Sequence, residues 1–290
     1  MPSITLTNLS VGYLRPRRTP LAVLTGLDAT LHSGRLTCLV GANGIGKSTL
    51  LRTLAAFLPP LDGQILYRSS EDAVPVNLSS LSKNRMARLV SVVLTAKPSV
   101  ESLTAEQVVA LGRSPYTNLW GTLRAADLQK VQWAMHAVGI LPLQKRMVHT
   151  LSDGERQKVM IAKALAQDTP VMLLDEPTAF LDYHSKVEML RLLHTLAHQT
   201  NKMLLLSTHD LEQALHAADA LWVVARTQQQ APATLRVMNK QQQTDHEGNT
   251  NIFFLPEAPH DNSPMPAITI GTPADFERRT HDLLRLLGEA

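Results

Sequence analysis

The chain has 290 residues, a formal net charge of +3 and 44% hydrophobic residues. This length and composition fit one large domain, or a domain with a subdomain, around a sizeable core. The basic excess is mild and dispersed, which argues against nucleic acid as a partner. No apolar stretch approaches the roughly 20 residues that cross a bilayer. The single cysteine, Cys38, permits no intrachain disulfide and favours a reducing, cytosolic setting.

Apolar patterns predict the first elements in chain order. The alternation around Ile4 and Leu31 indicates early antiparallel strands, and "LTCLV" at 36–40 is predicted to be a buried strand. A glycine-rich loop and a helical pattern follow. "LPPLDG" at 58–63 is expected to stop that helix, because proline cannot continue it. Another strand is predicted at 89–95.

A helical subdomain is predicted from about 96 to 150, where the patterns are helical and "TAEQVVALG" opens with a capping box at Thr104. Buried strands return at "VMLLD", "MLLLSTH" and "LWVVA", with helical patterns between them. The alternation predicts an α/β fold with a mostly parallel sheet, helices on both faces and an antiparallel β-subdomain. Residues 1–225 are predicted to form one domain.

The composition changes between 226 and 266, where glutamine triplets and prolines make a polar, low-complexity insert. Within it "ATLRVMN" and "NIFFLP" could pair as a hairpin; a disordered loop and a partner-binding element are the alternatives. Residues 267–290 are predicted to close the same domain as a helix, with Thr272 as its cap, Pro273 as its first residue and Asp275 in the first turn.

The stretch "GANGIGKST" at 41–49 matches the phosphate-binding P-loop pattern in full. Glycines let the chain curl so that many backbone N–H groups converge on a phosphate, and the following helix adds the positive end of its dipole. Lys47 would contact the β- and γ-phosphates, and the Ser48 hydroxyl can ligate Mg²⁺. The predicted nucleotide-binding residues are Gly41, Ala42, Asn43, Gly44, Ile45, Gly46, Lys47, Ser48 and Thr49. The loop predicts a P-loop NTPase core that takes a nucleoside triphosphate.

A pair of carboxylates ends the buried strand "VMLLDEP" at 171–177. Ligands sit at this edge of open α/β sheets. Asp175 would hold Mg²⁺, and Glu176 would orient and activate the attacking water. An apolar strand that ends in Asp-Glu is common alone, but together with the P-loop it predicts ATP hydrolysis, with Lys47 assisting.

The stretch "LSDGERQKVMIAKALAQ" at 151–167 resembles the signature of the ATP-binding cassettes, whose usual form is L-S-G-G-Q. The resemblance covers about residues 2 to 225 and resumes at "IGTPADF". It implies that Ser152 and the Gly154 backbone contact the γ-phosphate held by the other subunit of a dimer. A capped helix with no further role is the alternative interpretation.

Three more residues of the constellation follow from the same resemblance. Leu181-Asp182 is similar to the family's D-loop, and His209 in "STHD" is similar to the switch histidine that senses the γ-phosphate. Tyr13 in "VGY" resembles the aromatic residue that stacks on adenine. A half-buried strand tyrosine is the alternative for Tyr13. The resemblance thus implies Glu176, His209 and Lys47 as catalytic residues.

"ALGRSPYTNLWG" at 110–121 and the signature helix look like those of the ATPases of iron–siderophore, haem and cobalamin importers. The resemblance implies separate membrane permease subunits as partners, a homodimer in the ATP-bound state, and a peripheral position at the cytoplasmic face of the inner membrane. It implies ATP and Mg²⁺ as the ligands of the site.

Three positions depart from the family's pattern, and one of them is Glu155, which replaces the signature glutamine. Asp153 replaces the second signature glycine, so its carboxylate is expected to point away from the phosphate or to cap the helix N-terminus. Thr95 stands where the family has a glutamine that reaches Mg²⁺ and the attacking water. Threonine is shorter, so Thr95 is expected to act on the metal through a bridging water.

Other classes of protein share the P-loop. A soluble cassette ATPase without a transporter, and a regulatory cassette without turnover, are the nearest alternatives, although Glu176 argues against the second. P-loop kinases and GTPases lack the LSxG helix before the aspartate strand and so match poorly.

Overall fold

The strands that the structure describes lie in two sheets. The computed structural model describes residues 1–95, 102–118, 120–226, 231–244, 250–256 and 268–270. The smaller sheet has the order β2-β1-β4-β5 and is antiparallel. Its strands are β1 (Ser3–Arg15), β2 (Arg18–His32), β4 (Asp62–Arg68) and β5 (Val76–Asn77). This is the predicted antiparallel β-subdomain.

The larger sheet carries the parallel core. Its described strands have the order β12-β11-β10-β9-β3-β8-β7-β6, and the five from β9 to β6 run parallel. The strands are β3 (Arg35–Val40), β6 (Val90–Val93), β7 (Val171–Asp175), β8 (Met203–Thr208), β9 (Ala220–Ala225), β10 (Thr234–Thr244), β11 (Thr250–Pro256) and β12 (Ile268–Ile270). Every residue of β7, β8 and β9 is buried, as expected for parallel strands covered on both faces.

Seven α-helices accompany these strands in the described ranges. They are α1 (Lys47–Leu54), α2 (Lys83–Leu89), α3 (Ala105–Ala110), α4 (Ala125–Ala137), α5 (Asp153–Ala166), α6 (Tyr183–Thr200) and α7 (Leu211–Ala217). Two apolar clusters result: one joins the helices α3 to α7 to a face of the large sheet, and the other joins the small sheet and α1. None of the helices in these ranges is both long and apolar enough to cross a membrane.

Helix α1 ends earlier than the sequence predicts. Its C-cap is Ala55, and Ala56 adopts φ 57°. The N–H of Phe57 then donates to the Arg52 carbonyl at 2.8 Å, and the N–H of Ala56 donates to the Thr53 carbonyl at 3.0 Å. These are the two bonds of a Schellman motif. The prolines of 58–63 therefore follow a helix that has already closed, and alanine at the left-handed position gave no sequence signal.

Helices α3 and α4 pack on α5, and a buried ion pair holds them there. Thr104 caps α3 with the predicted capping box. The Arg113 guanidinium donates to Asp127 Oδ1 at 2.9 Å and to the Ala166 carbonyl at 2.8 Å. The Arg113 and Asp127 side chains are only 8% and 6% exposed. One buried arginine thus joins α4 to the C-terminal end of α5.

The segment after β9 extends the large sheet. β10 pairs antiparallel with β9 and with β11, so a hairpin is present, but its register differs from the predicted one. "NIFFLP" pairs mainly with residues 240–243, and "ATLRVMN" meets it only at Met238 and Asn239 and otherwise pairs with β9. The hairpin does not stand apart on the surface, because β10 continues the hydrogen-bonded ladder of the core. The predicted C-terminal helix, with Thr272, Pro273 and Asp275, lies outside the described residues.

Candidate nucleotide and catalytic site

The P-loop runs from the end of β3 into the first turn of α1. Gly46 is the N-cap residue of α1, with φ 123°, and no side chain caps the helix. The first N–H groups of α1 are therefore not satisfied by a capping side chain, which suits a phosphate ligand. A Cβ at Gly46 would lie 2.6 Å from Val23 Cγ1, so this position accepts only glycine. Gly44 adopts φ 75°, a left-handed conformation that favours glycine.

Lys47 lies along the inside of this loop. Its side chain is buried, and Nζ donates to the carbonyls of Gly41 at 2.7 Å and Ala42 at 3.0 Å. Ile45 is also buried, and its N–H donates to the Ala42 carbonyl at 3.3 Å. The loop therefore holds a positive charge against its own backbone at the start of a helix. An anionic phosphate group suits both features.

Asp175 is the centre of a hydrogen-bond network at the tips of the parallel strands. Its carboxylate Oδ1 accepts from Ser48 Oγ at 2.9 Å and from Ser207 Oγ at 2.7 Å. Ser207 Oγ in turn accepts from the N–H of Glu176 at 3.0 Å. The structure thus brings the P-loop serine and both acidic residues together. Sequence reasoning missed Ser207, because only the pairing of β8 with β7 places it in register with Asp175.

The donor set of this network suits a Mg²⁺ ion. Ser48 and Asp175 offer a hydroxyl and a carboxylate oxygen only 2.9 Å apart. Magnesium prefers such hard oxygen ligands, typically one or two from the protein with substrate phosphates and water completing an octahedron. The P-loop beside Ser48 is where those phosphates would lie. The residues present therefore fit the metal.

Glu176 has a strained backbone and a histidine neighbour. It adopts φ 47°, which is uncommon for a residue with a side chain and concentrates at functional sites. Its Oε1 lies 3.7 Å from His209 Nδ1. The Glu176 side chain is 27% exposed and the His209 side chain is 51% exposed, so water reaches both. This arrangement supplies a proton acceptor with an adjacent imidazole.

Thr95 and Tyr13 make contacts that the sequence could not predict. Thr95 Oγ1 donates to the backbone carbonyl of Asp175 at 2.7 Å, and so joins the end of β6 to the end of β7. The Tyr13 hydroxyl lies 3.2 Å from Thr49 Oγ1, and the residue is 39% exposed. Tyr13 therefore stands beside the P-loop helix, with part of its surface open to solvent.

The signature residues lie at the start of α5. Ser152 is the N-cap residue: its Oγ accepts from the Glu155 N–H at 3.2 Å, and its own N–H donates to Glu155 Oε2 at 2.9 Å. That backbone N–H is the main cause that lowers the pKa of Glu155. Asp153 forms an ion pair with Arg156 at 3.2 Å. The serine, and not Asp153, caps the helix.

Gly154 faces the segment that leads into α6. A Cβ at this glycine would lie 3.9 Å from Leu181 Cδ2. Asp182 is the N-cap residue of α6 and accepts from the Ser185 N–H at 3.0 Å, the main cause that lowers the Asp182 pKa. The signature and the predicted D-loop are therefore neighbours within one chain.

Comparison with known proteins agrees with this arrangement. The family model described as "ABC transporter" matches residues 24–179, more than half of the chain. The chain belongs to the ABC transporter family. Its large sheet with P-loop, Asp175 and covering helices is the P-loop NTPase fold of the ABC ATPases, and its activity is that of an ATPase.

Named relatives of this ABC protein include import subunits. The achromobactin transport ATP-binding protein CbrD of Dickeya dadantii is 37% identical over 77% of this chain and 79% of the relative. The cobalamin import ATP-binding protein BtuD of Halobacterium salinarum is 39% identical over 70% of this chain, which spans 49% of that relative. Among solved structures, cbiO1 of Clostridium perfringens, part of the ABC transporter complex cbiONQ, has a TM-score of 0.65 and 26% identity. That match covers 76% of this chain and 83% of cbiO1.

Proposed function

We propose that this ABC protein is the ATP-hydrolysing subunit of an importer, and that its catalytic site is the one assembled around Asp175. The observation that carries the proposal is the hydrogen-bond network from Ser48 through Asp175 and Ser207 to Glu176. It holds a phosphate-binding loop, a metal-binding pair and a proton acceptor at one edge of one sheet.

Each residue has a chemical role in this proposal. The N–H groups of the P-loop and the Lys47 ammonium bind the β- and γ-phosphates of ATP. Ser48 and Asp175 would hold Mg²⁺, which when bound would supply positive charge to the phosphate oxygens. Glu176 accepts a proton from the attacking water. His209 Nδ1 lies 3.7 Å from Glu176 Oε1, and its imidazole orients the water and the γ-phosphate. Ser207 fixes both acidic residues through one hydroxyl. Tyr13 stacks on the adenine.

Hydrolysis is proposed to take place between two copies of the chain. Ser152 and Gly154 lie at the start of α5, where Ser152 is exposed and forms a capping box with Glu155. They would complete the site of a partner cassette when ATP is bound. The Glu176→Gln variant with ATP is expected to elute as a dimer in gel filtration, and addition of Ser152→Arg is expected to return it to a monomer. A state that ignores both changes would contradict the shared site.

The transported solute is proposed to be an iron–siderophore, haem or cobalamin-type compound. The named relatives that act on achromobactin and cobalamin support this class. The chain would dock on separate permease subunits at the cytoplasmic face of the membrane. Co-expression with a candidate permease of this importer class, followed by uptake assays with a ferric siderophore and with cobalamin, tests the class. A permease that leaves the ATPase rate unchanged would instead favour a soluble cassette.

The catalytic assignment is tested with Glu176→Gln in a steady-state assay of phosphate release with Mg²⁺ and ATP. The amide cannot accept the water proton, so the rate is expected to fall on the order of 10²-fold or more. Nucleotide binding, followed with a fluorescent ATP analogue, is expected to persist. Glu212→Gln, an exposed carboxylate in α7, is the matched control. Turnover by Glu176→Gln at the wild-type rate would overturn the assignment.

A further inference from the structure

Two histidines and an aspartate meet at the end of the large sheet opposite the P-loop. His194 and His198 are one turn apart on α6, and Asp219 immediately precedes β9. His198 Nε2 lies 3.1 Å from Asp219 Oδ2, and His194 Nε2 lies 3.5 Å from Oδ1. The two imidazole rings are 4.4 Å apart between centroids. One ligand atom from each residue can be chosen so that all three lie within 4.8 Å of one another.

These separations match the first coordination shell of a transition metal. Zinc binds imidazole nitrogen and carboxylate oxygen at about 2.0–2.1 Å, so neighbouring ligand atoms around a tetrahedral ion are about 3.3 Å apart. With Asp219 Oδ1 as the ligand atom, the distances to His198 Nε2 and His194 Nε2 are 3.3 and 3.5 Å, close to that value. Histidines at i and i+4 project from one face of a helix, which suits a common ion. We propose that His194, His198 and Asp219 bind one divalent transition-metal ion of the Zn²⁺ type.

The surroundings of Asp219 support a ligand role. Its Oδ2 accepts the N–H of Leu36, at the start of β3, at 2.8 Å, and its backbone carbonyl accepts the N–H of Lys240 at 2.9 Å. These bonds fix the carboxylate, as outer hydrogen bonds do for metal ligands. The Lys240 ammonium donates to the His216 carbonyl at 3.2 Å, so a backbone oxygen holds this nearby cation. Asp219 is therefore an oriented acceptor that faces two imidazoles.

Access and ligand type define the ion. The His194 and His198 side chains are 41% and 47% exposed and Asp219 is 22% exposed, so an ion can enter and water can fill the fourth position. Two nitrogen ligands favour Zn²⁺, Ni²⁺ or Cu²⁺ over Mg²⁺ and Ca²⁺, which prefer oxygen. The cluster lies at the N-terminal ends of β3 and β9, whereas the P-loop follows the C-terminal end of β3. The ion would therefore be separate from the catalytic Mg²⁺.

Such an ion would join α6 to the sheet. It would link the C-terminal half of α6 with the turn before β9, two segments now connected at this point by histidine–carboxylate hydrogen bonds. Because metal binds this arrangement only in the folded chain, binding stabilises the native state. The expected consequence is a Zn²⁺-dependent rise in the unfolding temperature, which needs no ATP turnover.

The test uses the full, untagged chain, freed of metal by chelation and kept without nucleotide. Zn²⁺ is titrated by calorimetry at neutral pH, and Co²⁺ is added to a second sample to record the visible absorption of a tetrahedral site. We expect one tight equivalent in the wild type. His194→Ala/His198→Ala removes two of three ligands and is expected to weaken Zn²⁺ binding on the order of 100-fold or more. His136→Ala, an exposed histidine on α4, is the control.

Each outcome decides the proposal. The protein has 11 histidines, so weak binding elsewhere is expected and only the tight equivalent counts. The site is supported if the double variant loses the tight equivalent, the Co²⁺ spectrum and the Zn²⁺-induced rise in unfolding temperature. His136→Ala should keep all three. Tight Zn²⁺ binding that survives the double variant would refute it, as would a wild type with no tight equivalent. In the second case the cluster is a histidine–carboxylate ion pair only. Both altered side chains are partly exposed, and circular dichroism checks that the variant is folded.

Discussion

The buried pair of Arg113 and Asp127 gives a stability prediction whose size can be worked out from its contacts. Asp127 accepts from the Arg113 guanidinium through Oδ1 and from the Arg124 N–H through Oδ2, both at 2.9 Å. In Asp127→Asn the amide can offer its oxygen to only one of these donors. The other donor then meets an NH₂ group. The variant also leaves the guanidinium buried without its counter-charge.

The expected loss is near the lower end of the cost of breaking a buried pair, about 3 kcal/mol of unfolding free energy. The retained bond from Arg113 to the Ala166 carbonyl, and its position 4.0 Å over the Tyr116 ring, keep the cost from being larger. For a chain of this size, about 3 kcal/mol corresponds to a fall in melting temperature of roughly 6–12 °C. Lys130→Gln, which removes the exposed Lys130–Asp168 pair from the same helix, should cost less than about 1 kcal/mol.

The pH dependence of the same variant provides a second measurement. The Arg124 backbone N–H, and then Arg113, hold the pKa of Asp127 below its ordinary value of 3.8. A carboxyl with a lowered folded pKa contributes stability above its unfolded pKa, and that contribution is lost as the pH falls through the folded pKa. The difference between wild type and Asp127→Asn should therefore be complete at neutral pH and narrow below 3.8. Urea unfolding followed by circular dichroism measures both effects. A neutral-pH loss no larger than that of Lys130→Gln would refute the reasoning.

Two further predictions concern Thr95 and Cys38. Thr95→Val removes the bond to the Asp175 carbonyl, worth about 1 kcal/mol, so steady-state ATPase activity should fall about fivefold while Thr95→Ser stays near wild type. A collapse as deep as that of Glu176→Gln would mean a direct role at the metal, and a Thr95→Ser rate as low as that of Thr95→Val would refute the role of the hydroxyl bond. Cys38 is fully buried and burial raises its thiol pKa, so the native protein should not react with a thiol-specific reagent at pH 8, whereas the denatured chain should release one equivalent. Fast labelling of the native chain would contradict that placement.

The sequence predicts most of the fold because its signals are local. The P-loop, the strand that ends in Asp175 and the capping box at Thr104 each depend on residues close together in the chain, and the structure has all three elements. Contacts between distant segments gave no such signal. Ser207 is an ordinary strand-end serine until the order of β7 and β8 places it beside Asp175. The sequence predicts that the Thr95 hydroxyl faces a bridging water at the metal. In the structure this hydroxyl donates to the backbone carbonyl of Asp175, which lies 80 residues further along the chain.

The same limit applied to Arg113. In the sequence it belonged to a stretch that resembles importers, and only the packing of α4 against α5 reveals a buried charge that must be neutralised. The low-complexity composition of 226–266 is also a poor guide to secondary structure. The second half of β10 is polar, yet β10 pairs with β9 and β11 through its backbone. Composition describes side chains, whereas the pairing of β10 depends on backbone hydrogen bonds, so composition could not predict it.

The hairpin of β10 and β11 has a consequence for solubility. Without it, β9 would be the rim of the large sheet, and its sequence "ALWVVA" would present a row of unsatisfied backbone groups on an entirely apolar strand. Exposed edges of that kind template the association of one molecule with another. The first half of β10, from Thr234 to Asn239, pairs with this edge, and β11 and β12 continue the sheet beyond β10. The first half of β10 thus occupies the backbone groups of β9 that would otherwise be open to another molecule.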